Sequence, residues 1–299
     1  MKNLRINIDE PRDAQKYITR AEHDFSAKLD AITADIVANS DNRIITLAGP
    51  TCSGKTTTAN KLTERIREAG KNPVVFSIDD FFLDRADRNV VDGDAPDYDS
   101  VSAIDLDCLE EFVADLLAGK TVRRPIFDFV NTHRSGYEEY SPNGKDIYVF
   151  EGIQAVYPEV TSLFGDYTSI FIRVADDVRY RGSVLLGDEI RLFRRIVRDY
   201  KFRGATAEFT LHLWNTVRAN EITSIFPNAG NSDYYINSLL RYEPFVLANN
   251  VLGLLGTVPK DSKYRDEADL LTDKLKPFEN HFFEEKMIPS TSMFREFIG

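Results

Sequence analysis

The run Gly49-Pro50-Thr51-Cys52-Ser53-Gly54-Lys55-Thr56 fits the pattern G-x-x-x-x-G-K-[ST] at every fixed position, and no other stretch restricts the fold as tightly. Glycines let successive backbone N–H groups turn inward around an anion, and the helix that follows points its positive end at the same place. The flanks supply the context that such a loop needs. Arg43-Ile44-Ile45-Thr46-Leu47-Ala48 reads as a short apolar strand ending at Gly49. A helix is predicted from Lys55 to about Ala69, with Gly70 as its C-cap and Pro73 blocking continuation. Pro73-Val74-Val75-Phe76-Ser77-Ile78 reads as a second buried strand. Strand, helix, strand is a βαβ unit, which needs a parallel sheet, so the expected class is α/β with three layers.

The rest of the chain is consistent with one such sheet. Tyr17, Ala21, Phe25, Leu29, Ile32 and Ile36 recur at helical spacing, which predicts a helix over 10–40 and makes residues 1–40 an N-terminal helical extension. Residues 84–102, rich in Asp, Gly, Pro and Asn, read as a loop, and 105–118 as an amphipathic helix. Asp146–Phe150, ending at Glu151-Gly152, and Ser169–Val174 read as further strands. Helices are predicted over 189–202 and 206–225, parted by Gly204, and a polar helix over 264–285. The expected division is a central domain over 41–258, with a lid at about 188–225, and a helical tail over 259–299 packed on it.

Charge and composition narrow the partners. A net charge of −11 argues against a generic nucleic-acid coat, because phosphate backbones recruit basic surfaces. No apolar run approaches the ~18 residues of a membrane helix, and the first residues lack the apolar core of a signal peptide. Two cysteines, Cys52 and Cys108, make no disulfide framework, so both are expected free in a reducing, cytoplasmic compartment. The oligomeric state, monomer or homo-oligomer, stays open.

The loop chemistry assigns roles directly. Lys55 would reach the β- and γ-oxygens of a bound nucleotide, and the Thr56 hydroxyl would ligate Mg²⁺, with Thr57 next in the same turn. Ser77-Ile78-Asp79-Asp80-Phe81-Phe82 follows the second strand, whose carboxyl end faces the phosphates in a doubly wound sheet. A carboxylate there can accept the proton of an attacking hydroxyl; Asp79 is the candidate base and Asp80 the reserve. Glu151, ending its strand opposite the loop, is a candidate for orienting Mg²⁺ or its water. Glu189–Gly204 carries five arginines, of which Arg191, Arg195 and Arg198 share one helix face, a pattern suited to closing on polyphosphate.

These motifs, in this order, resemble the uridine kinase and phosphoribulokinase family of P-loop kinases over residues of about 40 to 250. Ser77–Phe82 is similar to that family's S-x-D-x-F-[YH] segment, Glu151-Gly152-Ile153 to E-G-[IV], and Arg194–Asp199 with Arg203-Gly204 to the R-R-x-x-R-D…R-G lid helix. The resemblance implies a P-loop kinase fold with a helical arginine lid, Asp79 as base, and Glu151 with Thr56 on the metal. It further implies that Arg198 and Arg203 contact phosphates and that Arg195 lies near the acceptor. Gly119-Lys120-Thr121-Val122 and Pro125–Phe129 resemble the G-K-x-V…P-x-Y-D-F stretch of uridine–cytidine kinases, which puts Phe127 and Phe129 at the acceptor. On that register Tyr98-Asp99 matches an aromatic–Asp pair whose carboxylate holds ribose hydroxyls.

Four departures separate this chain from pyrimidine-reading kinases: Phe127 for Tyr, Thr132 for His, Ala205 for Arg and Leu213 for Gln. Each removes a polar group that would read a base edge. A closer likeness is to the uridine-kinase-like branch related to those fused to tRNA-synthetase-like N-terminal modules. It rests on the lid text Arg191–Gly204, on Trp214, Val217-Arg218 and Ile225-Phe226-Pro227, and on Ser292–Gly299. The resulting expectation is a kinase using ATP and Mg²⁺ on a hydroxyl of a small nucleoside-like or ribose-like acceptor. Two alternatives stay open: a kinase for another hydroxylated metabolite or phosphosugar, and a nucleotide-binding switch with little turnover.

Overall fold

A computed structural model describes residues 4–8, 12–39, 43–84, 99–129, 131–279 and 282–299. In chain order the strands are β1 (Arg5–Asn7), β2 (Ile44–Ala48), β3 (Asn72–Ser77), β4 (Val122–Asp128), β5 (His133–Tyr140), β6 (Asp146–Glu151), β7 (Thr168–Arg173), β8 (Asp177–Tyr180), β9 (Ser183–Leu185) and β10 (Tyr234–Asn237). The helices are α1 (Ala14–Ala38), α2 (Lys55–Glu68), α3 (Leu106–Leu117), α4 (Pro158–Thr161), α5 (Gly187–Arg203), α6 (Ala207–Asn220), α7 (Phe226–Asn228), α8 (Glu243–Gly256), α9 (Arg265–Leu275) and α10 (Arg295–Ile298).

Five parallel strands form the central sheet in the order β10-β7-β2-β6-β3. Every residue of β2 and β6 is buried, as their mostly apolar text, framed in β6 by Asp146 and Glu151, suits strands covered on both faces. β3 lies at an edge of this order, which is why Pro73 is tolerated within it: the missing N–H breaks no central ladder. One face of the sheet carries a core shared with α1, α2, α5, α8 and α9, and the other a core that includes Phe76, Phe112, Tyr148 and Phe164. The register aligns Glu151 with Leu47 on one side and Ser77 on the other. The carboxyl ends of β2, β6 and β3 thus lie together, and the chain leaves them at the phosphate loop, Gly152 and Asp79. Placing ligand-facing loops at strand carboxyl ends is the general behaviour of such sheets.

Several expectations need correction. Residues 1–40 are not purely helical, because β1 pairs in parallel with β8 in a separate three-stranded sheet. A three-residue strand carries too little periodicity to stand out. The tail helix stops at Leu275 rather than 285; Pro277 lies in the turn after it, and Phe278 and Phe283 are buried rather than displayed on a polar helix. The helix predicted over 206–225 ends at Asn220 and continues as a π-turn over Glu221–Ile225. The antiparallel hairpin β4–β5 leaves little trace in the sequence, since four of the eight residues of β5 are charged or Gly and its burial alternates only weakly. Most of the loop expected over 84–102 lies outside the described residues, Tyr98 included.

Candidate active site

The loop between β2 and α2 has the backbone that an anion cradle requires. Gly54 sits at φ 90° and Cys52 at φ 56°, both left-handed. A Cβ at Gly49 would lie 2.1 Å from the Ile172 carbonyl oxygen, so only glycine lets the loop leave β2 against β7. The Ser53 hydroxyl is buried with no hydrogen-bond partner among the described residues, and Lys55 Nζ donates to the Pro50 carbonyl at 3.2 Å, folded back over its own loop. An orphaned hydroxyl, a loop backbone turned through two left-handed residues and a lysine resting on a carbonyl fit a phosphate chain. Cys52 is buried, which leaves no exposed thiol in the loop.

The carboxylates meet at the strand ends. Gly152 lets the chain after β3 approach closely: a Cβ there would stand 2.9 Å from the Ile78 Cβ and 3.6 Å from Asp79 Oδ1. Asp79 is held at about pKa 7, far above its ordinary 3.8, because burial strips its water and the negative charge of Glu151 opposes ionisation, while Lys55 pulls the other way. Asp99 and Asp80 add smaller repulsions, so the charge of Asp99 is felt at Asp79. Glu151 is likewise raised, first by burial, with Lys55 and the Ser77 hydroxyl lowering it; Ser77 Oγ donates to its Oε1 at 3.0 Å. Asp80 is occupied differently. It faces Arg124 at 3.9 Å and accepts from the Phe127 backbone, which ties it to β4. Among the described residues no three His, Cys, Asp or Glu side chains cluster to hold a metal by themselves. Thr56 and Glu151 could supply two oxygen ligands, with phosphate oxygens and water supplying the others.

The hairpin presents aromatic walls. A bulge between Ile126 and Phe127 shifts the β4–β5 register and re-aims the strand at this point. Phe127 is buried and packs edge-on against Phe82 at 5.7 Å and Phe129 at 5.2 Å, while Phe129 remains 54% exposed. Thr132, in the turn that follows, has φ 56°.

The lid helix divides its arginines between two tasks, which corrects the expected single anion-facing row. Arg191 is 2% exposed, donates bidentately to Glu221 at 2.5 and 2.7 Å, and lies 5.5 Å from the buried Trp214 ring. α5 is covered by both α6 and α8, so the face that carries Arg191 is interior. Arg194 is fully buried on Glu243 at 2.6 and 2.8 Å. Both also grip the phosphate loop from behind, Arg191 Nη1 on the Thr51 carbonyl at 3.1 Å and Arg194 Nη1 on that of Cys52 at 3.0 Å. The other three converge on Asp199: Arg195 Nε at 3.2 Å, Arg198 Nη2 at 2.8 Å and Arg203 Nη1 at 3.5 Å. Burial opposes the charge of Arg198, yet Cys52, Asp199 and Glu296 hold its pKa above the ordinary value, so it stands within electrostatic reach of the loop residue Cys52.

The structure therefore brings Gly49–Thr57, Asp79, Asp99, Glu151 and Arg198 into one electrostatic neighbourhood, with Arg195 and Arg203 joined to it through Asp199. Phe127 and Phe129 are reached through Asp80 and Phe82. Glu221 and Glu243, the buried partners of Arg191 and Arg194, sit in helical text with no motif of their own, and the lid motif that includes Asp199 does not disclose that three arginines converge on it. At the C-terminal segment Glu296 accepts from Thr57, and Arg295 donates to main-chain carbonyls of Glu285, Ile288 and Gly299.

The sequence pattern of the phosphoribulokinase / uridine kinase family matches residues 44–242. The uridine kinase of Ligilactobacillus salivarius is 30% identical over 147 residues, 48% of this chain and 66% of that protein. Uridine-cytidine kinase C of Dictyostelium discoideum is 27% identical over 127 residues, 42% of this chain and 26% of that one. The chain thus spans less than two thirds of the length of these relatives. Among solved structures, a possible uridine kinase from Bacillus stearothermophilus superposes with a TM-score of 0.45 at 19% identity, covering 70% of this chain and 97% of that one. No helix among the described residues is long and apolar enough to cross a membrane.

Proposed function

The chain belongs to the phosphoribulokinase / uridine kinase family, and from that premise we propose that it is a kinase that transfers the γ-phosphoryl group of ATP to a hydroxyl of a small, nucleoside-like or ribose-like acceptor. The observation that carries this reading is Asp79: a carboxylate poised near neutrality, beside Lys55 and Glu151, where β3 gives out onto the phosphate loop. A base with a pKa near the working pH combines availability with proton affinity.

In this reading the acceptor O–H gives its proton to Asp79 as its oxygen bonds to the γ-phosphorus and the bond to the β–γ bridging oxygen breaks. Lys55 and the inward amides take up the charge that builds on the phosphates, and Arg198, set by Asp199, faces the transferring group. Magnesium bound at Thr56 and Glu151 would neutralise part of the phosphate charge. Asp99 would accept from acceptor hydroxyls, and Phe127 and Phe129 would flank the acceptor with apolar surface. Arg203 would hold donor phosphate, and Arg195 would lie toward the acceptor.

The test is ATP consumption by the purified protein across nucleosides, sugars and sugar phosphates, with Asp79→Asn in parallel. Acceptor-dependent ADP release that vanishes in the variant while nucleotide binding persists is the expected result. Full turnover in Asp79→Asn removes Asp79 as base. Tight nucleotide binding with no acceptor stimulation across the panel favours a nucleotide-operated switch.

A further inference from the structure

The segment Ser292–Gly299 lies against the phosphate loop, and the proposed reaction uses none of it. Glu296 Oε2 accepts from the Thr57 N–H at 3.2 Å and from the Thr57 hydroxyl at 2.8 Å. Met293 is fully buried and seated on the loop, for a Cβ built on Gly54 would come within 2.3 Å of its sulfur. Ser292 Oγ donates to Glu22 Oε1 of α1 at 2.5 Å and lies 3.1 Å from the Tyr242 hydroxyl. Phe297 packs beneath the Arg194 guanidinium at 4.9 Å, and the Ile298 carbonyl accepts from Lys201 of the lid helix at 2.9 Å. One strap therefore ties together α1, the phosphate loop and the end of the lid.

Thr57 is the third residue of α2, in the turn whose N–H groups receive the α- and β-phosphates of a nucleotide in a loop of this pattern. Its single N–H and its hydroxyl are both committed to a carboxylate. Two anions cannot share those donors in contact, because like charges at that range repel, and more strongly where water is excluded. The charge of Glu296 is also felt at Glu151, whose ionisation it opposes, and at Arg198, which it supports. The carboxylate thus stands within the proposed donor site rather than at its rim.

We propose that Glu296 is an internal competitor for the nucleotide: with the strap closed it occupies the α-phosphate position on Thr57, and nucleotide binds by displacing it. The inference rests on the donor-site reading above. The apparent affinity for nucleotide is then the intrinsic one reduced by the fraction of molecules with the strap open.

Titration calorimetry of the full chain with Mg·ADP, run beside Glu296→Gln and Glu296→Ala, tests this. Both variants are expected to bind at least about tenfold more tightly than the parent, as an open fraction near one in ten requires. Hydrogen exchange of amides 292–299 in the parent should accelerate when Mg·ADP is added. Equal or weaker binding in both variants, or protection of 292–299 by Mg·ADP, overturns the proposal, since the carboxylate would then belong to the bound state. If the parent binds Mg·ADP and the variants merely match it, only the strap fails. If none of the three proteins binds, the donor-site reading fails and the strap with it.

Discussion

Arg194 reaches from the lid helix into the back of the phosphate loop, where its Nη1 donates to the Cys52 carbonyl at 3.0 Å. That carbonyl belongs to a non-glycine residue in the left-handed region, a conformation that costs about 1–3 kcal/mol and persists only where its surroundings impose it. The same guanidinium holds the Ser238 carbonyl at 2.7 Å and the Glu243 carboxylate, so one buried cation joins lid, loop and the start of α8.

Removing the countercharge should therefore damage stability more than chemistry. Glu243→Gln leaves Arg194 charged, buried and half-bonded, which costs about 3–5 kcal/mol in comparable buried pairs. Urea and thermal unfolding should both show the loss. Arg194→Lys should not rescue the fold, because an ammonium cannot reproduce the fork that meets Glu243, Cys52 and Ser238 together. A drop below ~1 kcal/mol would mean that the pair is dispensable.

Asp79 makes a pH-dependent prediction. Its folded pKa of about 7 lies above the ordinary 3.8, so folding favours the protonated form. The corresponding stability is fully present below pH 3.8 and is lost as pH rises through 7. Asp79→Asn mimics the neutral acid, so at pH 8 it should stabilise the unliganded protein, by a ceiling of about 4 kcal/mol that residual water contact lowers. At pH 4 the gain should nearly vanish. Parallel denaturant melts at the two pH values measure it, and a gain independent of pH would show that Asp79 is not the titrating group.

The contrast between these two sites shows what the sequence could convey. The positions of the phosphate loop, Asp79 and Glu151 at neighbouring strand ends were legible because each is a particular residue type at a fixed distance from a strand end. Glycine at 49 and 54, a lysine at the helix start and carboxylates at strand termini leave few alternative geometries. The arginine helix was legible in composition but not in direction. Periodicity put Arg191 with Arg195 and Arg198, and only the packing of α6 and α8 reveals that Arg191 faces inward. Glu221, the partner of Arg191, and Glu243, the partner of Arg194, are 30 and 49 residues away, and no local pattern joins positions so far apart. The contact of Glu296 with Thr57, across 239 residues, lay beyond reach for the same reason.

Acceptor choice should follow the aromatic walls. Phe127 is buried between Phe82 and Phe129, and its N–H is committed to Asp80, so this wall offers a pyrimidine edge no side-chain hydrogen bond. Each base group left unpaired on burial costs about 1–3 kcal/mol. Uridine and cytidine should therefore have kcat/KM at least ~10²-fold below the best acceptor of the screen. Phe127→Tyr combined with Thr132→His should narrow that gap for uridine. Efficient uridine phosphorylation by the parent would show that other groups read the base.

Asp199 offers a way to separate placement from charge in the lid. It is 4% exposed and receives three guanidiniums, so it both positions Arg195, Arg198 and Arg203 and neutralises part of their charge. Arg198→Ala removes a cation that would meet the transferring group, and kcat should fall ~10²–10³-fold with weaker nucleotide binding. Asp199→Asn keeps all three cations and removes the anion that gathers them. Nucleotide affinity should then rise, because less negative charge opposes the phosphates, while kcat falls as the guanidiniums lose their common anchor. The two variants are thus expected to move KM in opposite directions and kcat in the same one. Steady-state kinetics on any accepted substrate reads that split. An unchanged kcat in Asp199→Asn would mean that the arginines find their places without it.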